Sequence, residues 1–244
     1  MSKQKEELEH RLKLRNIKLS DYEDIREIMV SIYKNQGGAW TKEELKNQLK
    51  AFPEGQIAIE DNGKVVAAAM SLVVDYNKFG DNHTYDQITG FGKFDTHDMD
   101  GDTLYGTDVF VHTDYRGMRL GRRLYDVRKE LCENLNLRSI IAGGRIPGYT
   151  NYAEEMTPRK YIDLVKNKEI FDSVLSFQLA NEFHVRKVIT KYLPSDTDSR
   201  AYATLLEWIN IYYEKDEKLI GNKKSIVRLG LVQWKMRRFS NVDD

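Results

Sequence analysis

Cysteine is nearly missing from this chain: Cys132 is the only one in 244 residues. A single thiol excludes an internal disulfide framework and a cysteine-based zinc site. Its neighbours Leu131 and Leu135 suggest a buried structural thiol. Net charge is missing too. Lys+Arg and Asp+Glu both number 38, so no global field draws the chain to nucleic acid or an anionic membrane. The longest apolar stretch, 65–74, is far too short to span a bilayer and reads as a buried strand. The charged segment 1–15 lacks the apolar core of a signal peptide. Internal repeats and low-complexity tracts are absent as well. A soluble, cytoplasmic protein with no membrane or nucleic-acid partner is expected.

What the chain does have is enough apolar surface for a core. Hydrophobic residues make up 41% and charged residues 31%, the balance of one large globular domain or a domain with an appendage. The pattern predicts a strand over 12–17 and a helix over 21–33, capped by Ser20, with Ile25, Ile28, Met29 and Ile32 on one face. Thr41 and Glu44 form a capping box for a helix over 42–51. Strands over 56–60 and 64–75 flank the hairpin turn Asp61-Asn62-Gly63. A polar excursion, 76–102, is long for a compact domain and so reads as functional or mobile. A strand over 103–112, a Gly/Arg-rich turn and a helix over 119–136 come next, then a strand over 138–142. Thr157-Pro158 opens a helix to 167, Asp172 caps another to 183, and strands over 184–192 and 200–208 close the domain.

The turn is the most informative stretch. A strand runs through Val109, Val111 and His112 into Arg116, Gly117, Met118, Arg119, Leu120 and Gly121, where an amphipathic helix begins. The first amides of a helix lack intrahelical partners and sit at the positive end of its dipole, which makes an anion site. Arg116, Arg119, Arg122 and Arg123 oppose that dipole at roughly 0.3–1 kcal/mol each. They read either as a solvated basic turn or as the surroundings of a bound anion. Single-stranded nucleic acid is disfavoured because no aromatics interleave to stack bases.

Arg116-Gly117-Met118-Arg119-Leu120-Gly121 resembles the signature Q/R-x-x-G-x-G/A of the GNAT (Gcn5-related N-acetyltransferase) family, with Arg119 in place of the middle glycine. The order of strands and helices over 12–208 is similar as well. The resemblance implies an α+β fold: a mixed, mostly antiparallel central sheet flanked by helices, spanning 10–213. It implies acetyl-coenzyme A as acyl donor, no metal, and a small-molecule amine as acceptor. By position, the backbones of Val109 and Val111 would pair with the pantetheine arm, and the amides from Met118 to Arg122, with Arg116 and Gly117, would hold the pyrophosphate.

For catalysis the resemblance points to a base on the central strand, and Asp108 is the candidate; a hydrogen-bonding residue at the strand edge is the other reading. Simple alternation faces Asp108 away from Val109, and a bulge would change the facing. The family's usual acid, a tyrosine in the late helix, is Gln178 here, within Phe177-Gln178-Leu179-Ala180-Asn181-Glu182-Phe183. Tyr149 is then the candidate acid, with Tyr152 beside it, or else the thiolate leaves unaided. A non-catalytic acyl-CoA-binding module is the alternative function.

The cluster Asp95, His97, Asp98, Asp100, Asp102 invites a calcium reading, but Thr96 and Thr107 occupy the first and twelfth ligand positions. A solvated acidic loop is expected. After the charged run 214–218, the segment 225–238, with a strand-like run over 226–234, resembles the first strand of carbon–nitrogen hydrolases of the nitrilase superfamily; a last strand pairing with its own domain is the other reading. Residues 214–244 are accordingly expected to be a linker and the remnant of a covalently attached hydrolase domain.

Overall fold

Strand pairing in this protein is set by the apolar runs and the turns between them. The computed structural model describes residues 9–33 and 39–215, and the unit set out here runs to Glu214. The expected strand over 226–234 lies outside the described residues. Among the described residues, β1 (Leu12–Asn16), β2 (Ile57–Asp61), β3 (Lys64–Val74), β4 (Thr103–Val111), β5 (Ser139–Arg145), β6 (His184–Ile189) and β7 (Ala203–Ile209) form one sheet in the order β1-β2-β3-β4-β5-β7-β6. Only β4 and β5 are parallel; the other pairs are antiparallel. The expected mixed, mostly antiparallel sheet is therefore present. Asn62 and Gly63, with φ of 50° and 89°, make the β2–β3 turn, the two positive φ values that a type I′ hairpin requires.

Helices cover both faces. On one face α1 (Tyr22–Ile32) and α2 (Lys42–Ala51) bury Ile25, Ile28 and Leu45 against Ala68, Met70 and Phe110. α3 (Tyr85–Thr89) lies further along that face, with Ile88 packed against Leu72, Tyr105 and Ile141. On the other face α4 (Leu120–Asn134), α5 (Pro158–Lys166) and α6 (Leu175–Ala180) bury Tyr125, Ile162 and Leu175 against Val73, Leu104 and Leu206. Each such aliphatic side chain is worth about 1.5–3 kcal/mol in removal from water. Cys132 is fully buried among them and donates to the Leu137 carbonyl; burial pushes its thiol up in pKa.

Local chemistry moves three boundaries. Ser20 does not cap α1. That entry is held by Asp21, whose carboxylate accepts from the Lys18 amide at 2.7 Å and pairs with Arg15. Asp172 reaches the amides of Val174 and Leu175 at 2.9 and 2.8 Å, and α6 begins at Leu175, two residues later than expected. The excursion 76–102 is ordered around α3, which enters on a Thr84–Gln87 capping box and ends on Gly90 at φ 61°.

Candidate active site

The central feature is a splay between two parallel strands. β4 and β5 pair from Thr103↔Ser139 to Gly106↔Ala142 and then part. Beyond that point β4 stays bonded to β3 as far as Ala67↔Val111, and β5 to β7 as far as Arg145↔Ala203. Among the described residues, the edge of β4 over 107–111 thus has no strand beside it on the β5 side. An unpaired strand edge is a template for an extended ligand.

At the apex of the splay, β4 carries a bulge. Met70 pairs with Asp108 but Ser71 pairs with Gly106, which leaves Thr107 as the extra residue. The bulge reverses the facing of every later residue in the strand. Leu104 packs with the α4–α6 side and Tyr105 with the α3 side. Phe110 packs with α1, while Val109 and Val111 pack toward Leu120 and Leu124 of α4. Asp108 therefore faces α1 and α3; in an unbulged strand that kept Thr107 in the ladder it would face α4 with Gly106. It still faces away from Val109, as alternation requires.

Two phenols meet the Asp108 carboxylate. Tyr85 donates to Oδ2 at 2.9 Å and Tyr33 to Oδ1 at 3.3 Å. Burial pushes the Asp108 carboxyl up to about 7, against the two phenol hydrogen bonds and the Arg128 charge, which pull it down. Burial raises both phenols, and the neighbouring carboxylate raises them further. Tyr85 also lines a cleft of about 240 Å³ with Trp40, Glu44, Asp86, Phe91 and Phe94.

The basic turn lies beyond the end of β4. Arg116 is extended, Gly117 has φ 83°, and Arg119 is the N-cap of α4 at φ 60°, ψ 19°. Arg119 thus holds the left-handed conformation that suits the glycine it replaces. It makes no side-chain capping bond, and α4 has no acidic residue in its first turn. Arg116, Arg119, Arg122 and Arg123 are exposed, and among the described residues none is in an ion pair. A Cβ on Gly121 would come within 2.9 Å of the Phe177 ring, so this glycine lets α4 approach α6.

The late helix fits the altered residue closely. Gln178 is 7% exposed and its Oε1 has no hydrogen-bond partner; a side chain on Gly144, in the splayed part of β5, would meet that oxygen. Burial raises the Tyr125 phenol in pKa, while the nearby Gln178 side chain pulls it down. Tyr149 is placed elsewhere. Its hydroxyl donates to the Met156 carbonyl at 3.0 Å, and its ring packs on Tyr161 and Tyr202. The structure does not bring it to Asp108, whose side-chain partners are Tyr33 and Tyr85.

The acidic segment is structural in its contacts. Asp98 pairs with Lys78 at 2.9 Å, Asp102 with Arg138 at 3.3 Å, and His97 accepts from the Val73 amide while stacking on Phe52. Among the described residues no group of three or more His, Cys, Asp or Glu is arranged to hold a metal, and no helix is long and apolar enough to cross a membrane.

Tyr33, Tyr85, Tyr125 and Arg128 are the site groups that sequence reasoning missed. Only Arg128 left a signal: a charge at the i+4 position after Leu120 and Leu124, inside an apolar stripe.

Known proteins resemble this chain in sequence and in fold. A model of the acetyltransferase (GNAT) family matches residues 22–148. The chain is 34% identical over 176 residues to the "Uncharacterized N-acetyltransferase YkwB" of Bacillus subtilis (strain 168), covering 72% of this chain and 77% of that one. It is 39% identical over 237 residues to the "Probable hydrolase YhcX" of the same organism, covering 97% of this chain but 46% of YhcX. The chain thus spans less than half the length of that relative. In fold it resembles the loading GNATL domain of CurA from Lyngbya majuscula, with a TM-score of 0.69 and 21% identity over 82% of this chain and 98% of that domain.

Proposed function

The chain belongs to the acetyltransferase (GNAT) family, and on that premise we propose that it is an acetyl-CoA-dependent N-acetyltransferase acting directly on a small amine. The observation that carries this reading is the open edge of β4 over 107–111, leading into the uncapped N-terminus of α4. The backbones of Val109 and Val111 pair with the pantetheine arm like an added strand. The amides from Met118 to Arg122, with Arg116 and Gly117, take the pyrophosphate, since they stand at the positive end of the α4 dipole. The partnerless Oε1 of Gln178 fits an amide donor of the same arm.

Acetyl-CoA supplies the acyl group as a thioester. The protein's own groups then have two proton tasks. Asp108 accepts the proton that the attacking amine must lose, and a carboxyl pushed up to about 7 suits a base working near neutrality. The sulfur that leaves as its bond to the acyl carbon breaks takes a proton from Tyr125. We assign this to Tyr125 rather than Tyr149 because Tyr125 stands at Gln178, whereas the Tyr149 hydroxyl is committed to Met156. The acceptor reaches Asp108 from the α1–α3 side.

Residues 10–213 carry this domain in the proposal. The name of YhcX supports a hydrolase as covalent partner in the parent protein.

The test is release of free coenzyme A thiol from acetyl-CoA with a panel of small amines. Amine-dependent release supports the reading. Binding of acetyl-CoA without release for any amine would support the second reading, a non-catalytic acyl-CoA module, which the replacement of the family's tyrosine by Gln178 favours.

A further inference from the structure

Arg128 is among the most buried side chains of the protein, at 2% exposure, yet among the described residues it forms no salt bridge with a carboxylate. An arginine so placed is costly unless its donors are used. They are used on the bulge. Nε donates to Ser71 Oγ at 3.1 Å, and Nη2 donates to the carbonyls of Met70 at 2.9 Å and Asp108 at 2.7 Å. Ser71 and Met70 are the β3 residues between which the register shifts. The fork therefore supplies donors where the inserted Thr107 interrupts the ladder. Gly106 makes room for it, because a Cβ there would lie 2.9 Å from Nη1. The Tyr125 ring covers the guanidinium, with Cζ 5.6 Å from its centroid.

We infer that Arg128 is a positioning residue that clamps the Thr107 bulge and so aims Asp108 at the acceptor side. The inference rests on the reading of Asp108 as the base. The groups facing Asp108 are few. Tyr33 comes from the end of α1, Tyr85 from α3, Arg128 from α4, and Tyr192, after β6 in the chain, acts through space. Arg145 of β5 acts on Tyr33 but is paired with Asp196 and Asp198. Arg128 is thus the cation that bears on Asp108 itself.

The experiment is an NMR titration of the Asp108 carboxyl in the parent, Arg128→Met and Arg128→Lys, with pH profiles of kcat/KM on the same proteins. Removing the charge should raise the Asp108 midpoint by roughly one pH unit. Arg128→Lys should keep the midpoint near the parent's but lower kcat, because an ammonium cannot bridge three acceptors in a fixed fork. A midpoint in Arg128→Met equal to the parent's overturns the inference. Should Arg128→Met fail to fold, Gly106→Ala displaces the guanidinium instead. A smaller rise is then expected, and coincidence with the parent again overturns it. A midpoint that moves while the kcat/KM limb stays put leaves the clamp standing and removes Asp108 as base.

Discussion

The Tyr85 hydroxyl donates to Asp108 Oδ2 at 2.9 Å, tying the excursion 76–102 to the central strand. A carboxylate on β4 is thereby held from the side on which the cleft of Trp40, Glu44 and Phe91 opens. The excursion is part of the site's framework. If Asp108 is the base, Asp108→Asn should cut turnover by ~10²–10⁴ with acetyl-CoA affinity near the parent's. Tyr85→Phe should lower kcat less, since Tyr33 still holds Oδ1. Steady-state kinetics with the best amine decides; undiminished turnover in Asp108→Asn moves the base elsewhere.

The same carboxyl makes stability depend on pH. Unfolded, it ionises near an ordinary ~3.9; folded, it keeps its proton up to about 7. Between those values the folded state binds the extra proton. Stability from this group therefore falls as pH rises across the window, at up to ~1.4 kcal/mol per unit, and levels off above it. Asp108→Asn removes the effect. Its Tm should exceed the parent's at pH 8, with the gap closing below pH 5. A gap constant from pH 4 to 8 contradicts the assignment.

Tyr125→Phe separates the two tyrosine assignments. With the phenol at Gln178 removed, kcat should fall by at least ~10-fold, within the range of a lost general acid, while Tyr149→Phe should leave kcat near the parent's. The reverse order of effects returns the role to Tyr149.

Much of the frame was legible because local signals agreed with the fold. The Thr41–Glu44 box and the Asn62-Gly63 turn placed α2 and the β2–β3 hairpin to the residue or within one. The splay was not legible, since where two parallel strands part depends on the partners beyond them, not on either sequence. The Thr107 bulge was not legible either: nothing in Thr103–Val111 breaks alternation on paper, and the register is set by β3 and Arg128. α3 was missed although Thr84 and Gln87 spell a capping box, because a five-residue helix carries little periodicity.

Arg119 offers a stability test free of catalysis. A non-glycine residue at φ 60° costs roughly 1–2 kcal/mol, and a cation at the helix start roughly 0.3–1 more. Arg119→Gly restores the family's glycine and should raise the Tm of the unliganded protein by a few degrees. A lower Tm would show that the arginine contributes a compensating contact.

The proposed function places acetyl-CoA at the α4 N-terminus and the open β4 edge, and Arg122→Glu probes that binding without touching Asp108. Glutamate near the start of a helix favours the dipole, so the unliganded variant should melt at or above the parent's temperature. At acetyl-CoA one hundred times its Kd, the parent should gain about 2.7 kcal/mol of stability, measured as a rise in Tm. The variant, with an anion set against the pyrophosphate, should gain almost none. Equal ligand-induced shifts in parent and Arg122→Glu would contradict binding at this end of α4.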